Sequence, residues 1–155
     1  MVSLRHVVGP MAVLGVLFLF SGEARAQTSF FTGGPAITKE QQASVFAYVK
    51  NAWQVSDGKT ATDVEVHRQW ARGQTEAVLK GEIDRLVNVT LGNIRKIGKA
   101  RLVEVFANLK QGAAIAANKE AGHTLAGHTG WANGQTEETL RGEVARIALA
   151  GAKAI

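Results

Sequence analysis

Residues 70–86 read WARGQTEAVLKGEIDRL, and residues 131–147 read WANGQTEETLRGEVARI. The pattern W-A-x-G-Q-T-E-x-x-L-(K/R)-G-E-(I/V)-x-R is thus spelled twice, 61 residues apart. A wider similarity surrounds it: ITKEQQASVFAYVKNA from Ile37 aligns with IGKARLVEVFANLKQG from Ile97 at an offset of 60. One inserted residue then brings His67 into register with His128. The chain beyond residue 36 reads as a tandem duplication, with units 37–96 and 97–155. Each unit is expected to be helix, loop, helix, and neither buries its apolar face alone. Packed together, the two give an all-α fold, a helical bundle of about four main helices forming a single domain over 37–155.

The helical reading rests on periodicity. No proline follows Pro35. Thr38 and Gln41 are spaced as a capping box, in which each side chain satisfies an early backbone N–H of the helix. Beyond it, Val45, Tyr48, Val49, Ala52 and Trp53 fall on one helical face. A second cap at Thr62 to Glu65 opens a short segment carrying His67 and Trp70. The next apolar series is Leu79, Ile83, Leu86, Val87, Leu91, Ile94, Leu102, Val105, Phe106 and Leu109, and Gly92 and Gly98 place a break at 92–98. After the glycine-rich AGHTLAGHTG, a last helix should bury Leu140, Val144, Ile147 and Ala148.

Within the repeated signature, Gly73 and Gly134 are expected to serve as helix N-caps, with Glu76 and Glu137 favoured by the helix dipole. Glu76 with Lys80, and Glu137 with Arg141, are ion pairs at i,i+4. Gly81 and Gly142 fall in mid-helix, where glycine costs about 1 kcal/mol against alanine. Close helix contact at both is the expectation, and a leucine at either should then be strongly destabilising.

The start of the chain has a different character. Arg5 and His6 precede the apolar run VVGPMAVLGVLFLF, and small residues at Ala24 and Ala26 follow. Residues 1–26 have the form of a cleaved secretory signal peptide of bacterial type, which directs the remainder to the periplasm. Residues 27–36 are then an N-terminal extension. The mature part, about 129 residues, keeps a net charge of +4 and has neither Cys nor Met, since Met1 and Met11 lie in the leader. Disulfides, thiolate or thioether metal ligands and a covalent c-type haem are excluded. Aromatics at 6 % and interleaved charges argue against nucleic acid. The one basic cluster, Arg95, Lys96, Lys99 and Arg101, suits an acidic protein surface or anionic head groups.

Few residues suggest chemistry. His67 and His128 occupy equivalent places and could face one another to hold a metal or a non-covalent haem, with His123 as a third ligand; the alternative is that each histidine orders its own loop. Glu82 and Glu143 are a second equivalent pair, better read as partners of Arg85 and Arg146 than as an acid/base couple. Trp53, Trp70 and Trp131 could form an aromatic ligand pocket, but are better read as core residues or interface anchors. No nucleophile, metal signature or cofactor loop is recognisable.

The segment ITKEQQASVFAYVKNAW, followed by GKTATDVEVHR, resembles the C-terminal helix region of class I cytochrome c domains in the cytochrome subunits of periplasmic quinoprotein dehydrogenases. The matching elements are Thr38, Tyr48 to Asn51, Trp53, Val64 or Val66, and Arg68, about a quarter of the mature chain. The C-x-x-C-H motif and the axial methionine are missing, so no haem ligand carries over. A small exported chain of this form is similar to the cofactor-free third subunit of quinohaemoprotein alcohol dehydrogenases. That resemblance implies a non-catalytic accessory subunit without cofactors, held at the periplasmic face of the inner membrane by a larger dehydrogenase and a multihaem cytochrome. Trp53, Trp70, Trp131 and the basic cluster would be its contacts. A ligand-, metal- or haem-binding protein and a self-assembling helical protein are the alternatives.

Overall fold

A computed structural model describes residues 29–155, and the leader segment 1–26 lies outside them. The described chain is all-helical, with six α-helices: α1 (Lys39–Ser56), α2 (Val64–Arg72), α3 (Glu76–Asn93), α4 (Lys99–Ala116), α5 (Leu125–Asn133) and α6 (Glu137–Ala150). A 3-10 turn, Ile94–Lys96, separates α3 from α4, and another, Gly151–Ala154, follows α6. The order long, short, long therefore occurs twice. What had been expected as a loop within each unit contains a nine-residue helix, α2 or α5. Helices this short are marginal alone and depend on caps and packing. Asp63 caps α2 by accepting the Glu65 N–H at 2.8 Å, and Thr124 caps α5 by accepting the Gly127 N–H at 3.0 Å.

α1 and α4 form the centre. α1 packs on α2, α3 and α4, and α4 on α5 and α6, while α3 and α6 meet more sparingly. The periodic residues account for this. Val45, Val49 and Ala52 of α1, Leu79, Ile83 and Leu86 of α3, Leu102, Val105 and Leu109 of α4, and Leu140, Val144 and Ile147 of α6 are all fully buried. Each such aliphatic side chain contributes about 1.5–3 kcal/mol by leaving water. Gly112 of α4 faces α1, where a Cβ would lie in ordinary contact 3.5 Å from Val49 Cγ2.

Helix ends follow local chemistry. The Thr38/Gln41 capping box forms, with bonds of 2.8 and 3.1 Å. α1 ends in a Schellman motif, in which Lys59 N–H donates to Gln54 O at 2.8 Å and Gly58 N–H to Val55 O at 3.1 Å. The left-handed position it requires, φ +83°, is taken by Gly58. α4 repeats the motif one unit later, with Asn118 at φ 55° and Lys119 N–H donating to Ala114 O at 2.8 Å.

Two expectations about the repeated signature need correction. The N-caps of α3 and α6 are Thr75 and Thr136, not Gly73 and Gly134, which instead close α2 and α5. A threonine hydroxyl can accept the orphan N–H of Val78 or Thr139, and glycine has no side chain to do so. Nor do Gly81 and Gly142 mark helix contacts. Both are exposed, and a Cβ on either would meet nothing within 4 Å.

The stretch read as an extension is partly anchored in the core. Phe30 is 1 % exposed; its N–H donates to Asp84 Oδ1 at 2.8 Å and its carbonyl accepts from Ala152 N–H at 3.0 Å. The chain makes room for this with Gly151, at φ +52°, where a Cβ would stand 2.0 Å from the Phe30 carbonyl oxygen. Among the described residues, no helix is long and apolar enough to cross a membrane.

Candidate functional site

The repeated tryptophans are placed alike. Trp70 stacks on Phe46 with ring centroids 4.8 Å apart, and Trp131 lies against Phe106 at 4.9 Å. Each carbonyl accepts twice, from the glycine N–H that closes the short helix and from the Gln74 or Gln135 side chain. The indoles are held at one face yet remain 47 % and 46 % exposed. A rigid, half-exposed indole is well suited to anchor a partner, because little rotamer freedom is left to lose on binding. Trp53 differs: it is half-buried, with Lys50 Nζ 4.4 Å and Lys59 Nζ 4.6 Å from its ring centroid.

The two histidines are not brought together; each is placed within its own unit. The Nε2–H of His67 is shared between Asn51 Oδ1 at 3.2 Å and Gln54 Oε1 at 3.1 Å. Both amides are oriented by Thr62, whose carbonyl accepts from Asn51 Nδ2 and whose hydroxyl accepts from Gln54 Nε2. That fixes the tautomer with Nε2 protonated, and the nitrogen is occupied in ordering the loop before α2. Burial, with Lys50 nearby, holds the His67 pKa below the ordinary imidazole range.

His128 repeats the position without the partners. Asn51 is replaced by Gln111 and Gln54 by Ala114. His128 is 8 % exposed and its Nε2 has no hydrogen-bond partner. Burial, and then the proximity of His123 and Lys110, pushes its pKa down to about 4. The His123 ring lies 5.4 Å from it, centroid to centroid. Beside these rings is a cleft of about 380 Å³, lined by Phe106, Lys110, His123, His128, Trp131 and Glu143 and by the start of α5 at Thr124 and Gly127. Among the described residues no three His, Cys, Asp or Glu side chains are grouped to hold a metal ion.

Glu82 and Glu143 are ion-paired to Arg85 and Arg146, each at 2.8 Å, and the arginine hydrogen bonds hold both carboxyls below the usual range. Glu76 pairs with Lys80 at 2.7 Å and Glu137 with Arg141 at 2.9 Å. Such exposed pairs contribute about 0–1 kcal/mol each.

Arg95, Lys96, Lys99 and Arg101 are all exposed, in the turn after α3 and at the start of α4. No residue of the first turn of α4 is acidic, whereas α1, α2 and α3 each have one acidic residue there and α6 has two. Glu137 of α6 supplies a carboxylate to the start of α4 instead, accepting the Lys99 N–H at 3.1 Å, so the positive field of the cluster comes from its four side chains rather than from the helix end. Arg95 also borders a groove of about 680 Å³ between α3 and α6, whose walls include Asn88, Leu91, Gly92, Gly142 and Ala145. Leu149, 57 % exposed, lies on the same face of α6 as Gly142 and Ala145. The open space beside Gly92 and Gly142 is part of what shapes this groove.

Phe46, Phe106, Asn51, Gln54 and Lys110 were not among the expected site residues. The signal available was the repeat alignment itself, in which Gln54 opposite Ala114 is a polar-to-apolar difference one helical turn from a conserved lysine pair, Lys50 and Lys110.

No family model matches the chain, and neither a curated protein nor a solved structure is found similar to it.

Proposed function

We propose that this protein is a non-catalytic accessory subunit that binds and stabilises a larger periplasmic quinoprotein dehydrogenase and its multihaem cytochrome, without a cofactor of its own. The observation that carries the reading is the matched pair of half-exposed tryptophans, each stacked on a phenylalanine of its own unit. Indoles so placed are typical anchors of protein interfaces. Elsewhere on the bundle the α3–α6 groove offers a recessed apolar surface, and the Arg95 to Arg101 cluster supplies a field that draws an acidic partner and speeds encounter. The bundle serving this role is a tandem duplication of units 37–96 and 97–155. Support for that comes from the doubled helix order, the doubled Schellman ends and the doubled indole stacks.

The test is purification of the tagged protein from the native envelope fraction. Stoichiometric recovery of a quinoprotein and a multihaem cytochrome is expected, with Trp70→Ala and Trp131→Ala weakening recovery from protein that a melting curve shows to be still folded. A protein recovered alone, of uniform mass in solution, contradicts the reading.

A further inference from the structure

We propose that the cleft between α4 and α5 is a binding site for a small aromatic carboxylate, present in the second unit and closed off in the first. This does not depend on the accessory role.

The two units start from the same frame and differ at the positions that matter. In the first, Asn51 and Gln54 reach His67 and tie it to Thr62, so the region beneath α2 is filled by the protein's own polar groups. In the second, Ala114 stands in place of Gln54 and Gly127 in place of Val66. Gly127 leaves its part of the wall without a side chain, His128 Nε2 is buried without a partner, and a cleft of about 380 Å³ lies beside the ring. A buried nitrogen without a partner costs about 1–3 kcal/mol. A ligand in the cleft lies against the His128 ring, and recovers that cost where the ring turns its nitrogen towards it. The volume is in the range of small-molecule pockets.

The lining specifies the chemistry. Trp131 offers the indole face not covered by Phe106, which suits a planar ring. Lys110 has no carboxylate within ion-pair distance among the described residues, and burial followed by repulsion from Arg146 holds its pKa below the usual lysine range. Glu143 also faces the cleft, but its charge is taken up by Arg146 at 2.8 Å, so the net field favours an anion. The start of α5 forms another wall. It has no acidic residue in its first turn, and the early N–H groups of a helix favour negative charge. A carboxylate on Lys110, with its ring on Trp131 and a polar edge towards His128 and His123, meets each of these features.

Benzoate titrated into ¹⁵N-labelled protein tests the site. Saturable shifts are expected at Gly122, Gly127, His128 and the Trp131 indole N–H, with Val66, His67 and Trp70 unmoved. Lys110→Met should weaken benzoate binding by about tenfold or more, as loss of a charged hydrogen bond does, and should leave the weaker binding of benzyl alcohol unchanged. Gly127→Val, which installs the first unit's residue, should abolish both; its Cβ would stand 3.1 Å from the capping Thr124 hydroxyl, so a melting curve confirms that the variant is still folded before the titration is read. Shifts distributed equally over both units, shifts that never saturate, or benzoate binding indifferent to Lys110→Met would overturn the proposal.

Discussion

His67 and His128 occupy equivalent places in the two units, three residues before tryptophans stacked in the same way, and their surroundings are opposite. One is enclosed in a network of Asn51, Gln54 and Thr62; the other has a buried Nε2 with no partner and a cleft alongside. The difference teaches that two stretches of like sequence and like helix order need not both satisfy their own polar groups. The hydrophobic faces of α1, α3, α4 and α6 hold both units together. Polar positions in one copy are then free to change.

The units also end differently, and that gives the largest expected effect. Thr90 continues α3 as a buried helical residue, while the aligned Gly151 stops α6 at φ +52° under the Phe30 carbonyl. Gly151→Thr, which imposes the first unit's residue, should cost about 4 kcal/mol or prevent folding, because backbone strain and a steric clash add. Denaturant unfolding measures it, and a loss below about 1 kcal/mol would mean the Phe30 anchor is dispensable.

Acidification comes next. The folded pKa of His128 is about 4, below the ordinary 6.5, and that of His67 is also lowered. Both therefore bind protons more readily in the unfolded chain. The stability of keeping them neutral is present above about pH 6.5 and is lost as pH falls towards 4, up to about 3 kcal/mol for His128. His128→Phe should flatten the pH dependence of the melting temperature more than His67→Phe does.

Smaller still is the contrast between the two amides. Asn51→Ala strands the Thr62 N–H and carbonyl and leaves the His67 N–H to Gln54 alone, and should cost about 2–3 kcal/mol. Gln111→Ala removes a buried oxygen that already lacks a partner, so its effect should fall within about 1 kcal/mol of zero. Equal losses would erase the asymmetry. The smallest expected change is a gain: Gly81→Ala and Gly142→Ala should each raise stability by about 0.5–1 kcal/mol, since both glycines sit mid-helix with open space around them. A loss at either would restore the idea of close helix contact.

Much of this fold was legible in the sequence because burial has a period. The series Leu79, Ile83, Leu86 and the series Leu140, Val144, Ile147 are spaced as only a helix buries them, and Thr38 with Gln41 marks a start without ambiguity. The misplaced caps at Gly73 and Gly134 show where local reading fails: glycine and threonine both fit helix boundaries, and only hydrogen-bond geometry assigns one to closing α2 and the other to opening α3. Phe30 was invisible because two adjacent aromatics, Phe30 and Phe31, before Gly33 and Gly34 have no period. The histidine cleft was hidden for another reason. His67 and His128 look identical in sequence, and what separates them is side chains contributed by α1 and α4, brought near only by folding.

The most direct test of that separation is a long-range ¹H–¹⁵N spectrum of the histidine ring nitrogens followed from pH 7.5 to 3.5. The account predicts His67 fixed in the Nε2–H form at neutral pH, and His128 neutral until about pH 4. Two histidines titrating together near pH 6.5, with the same tautomer mixture, would contradict it.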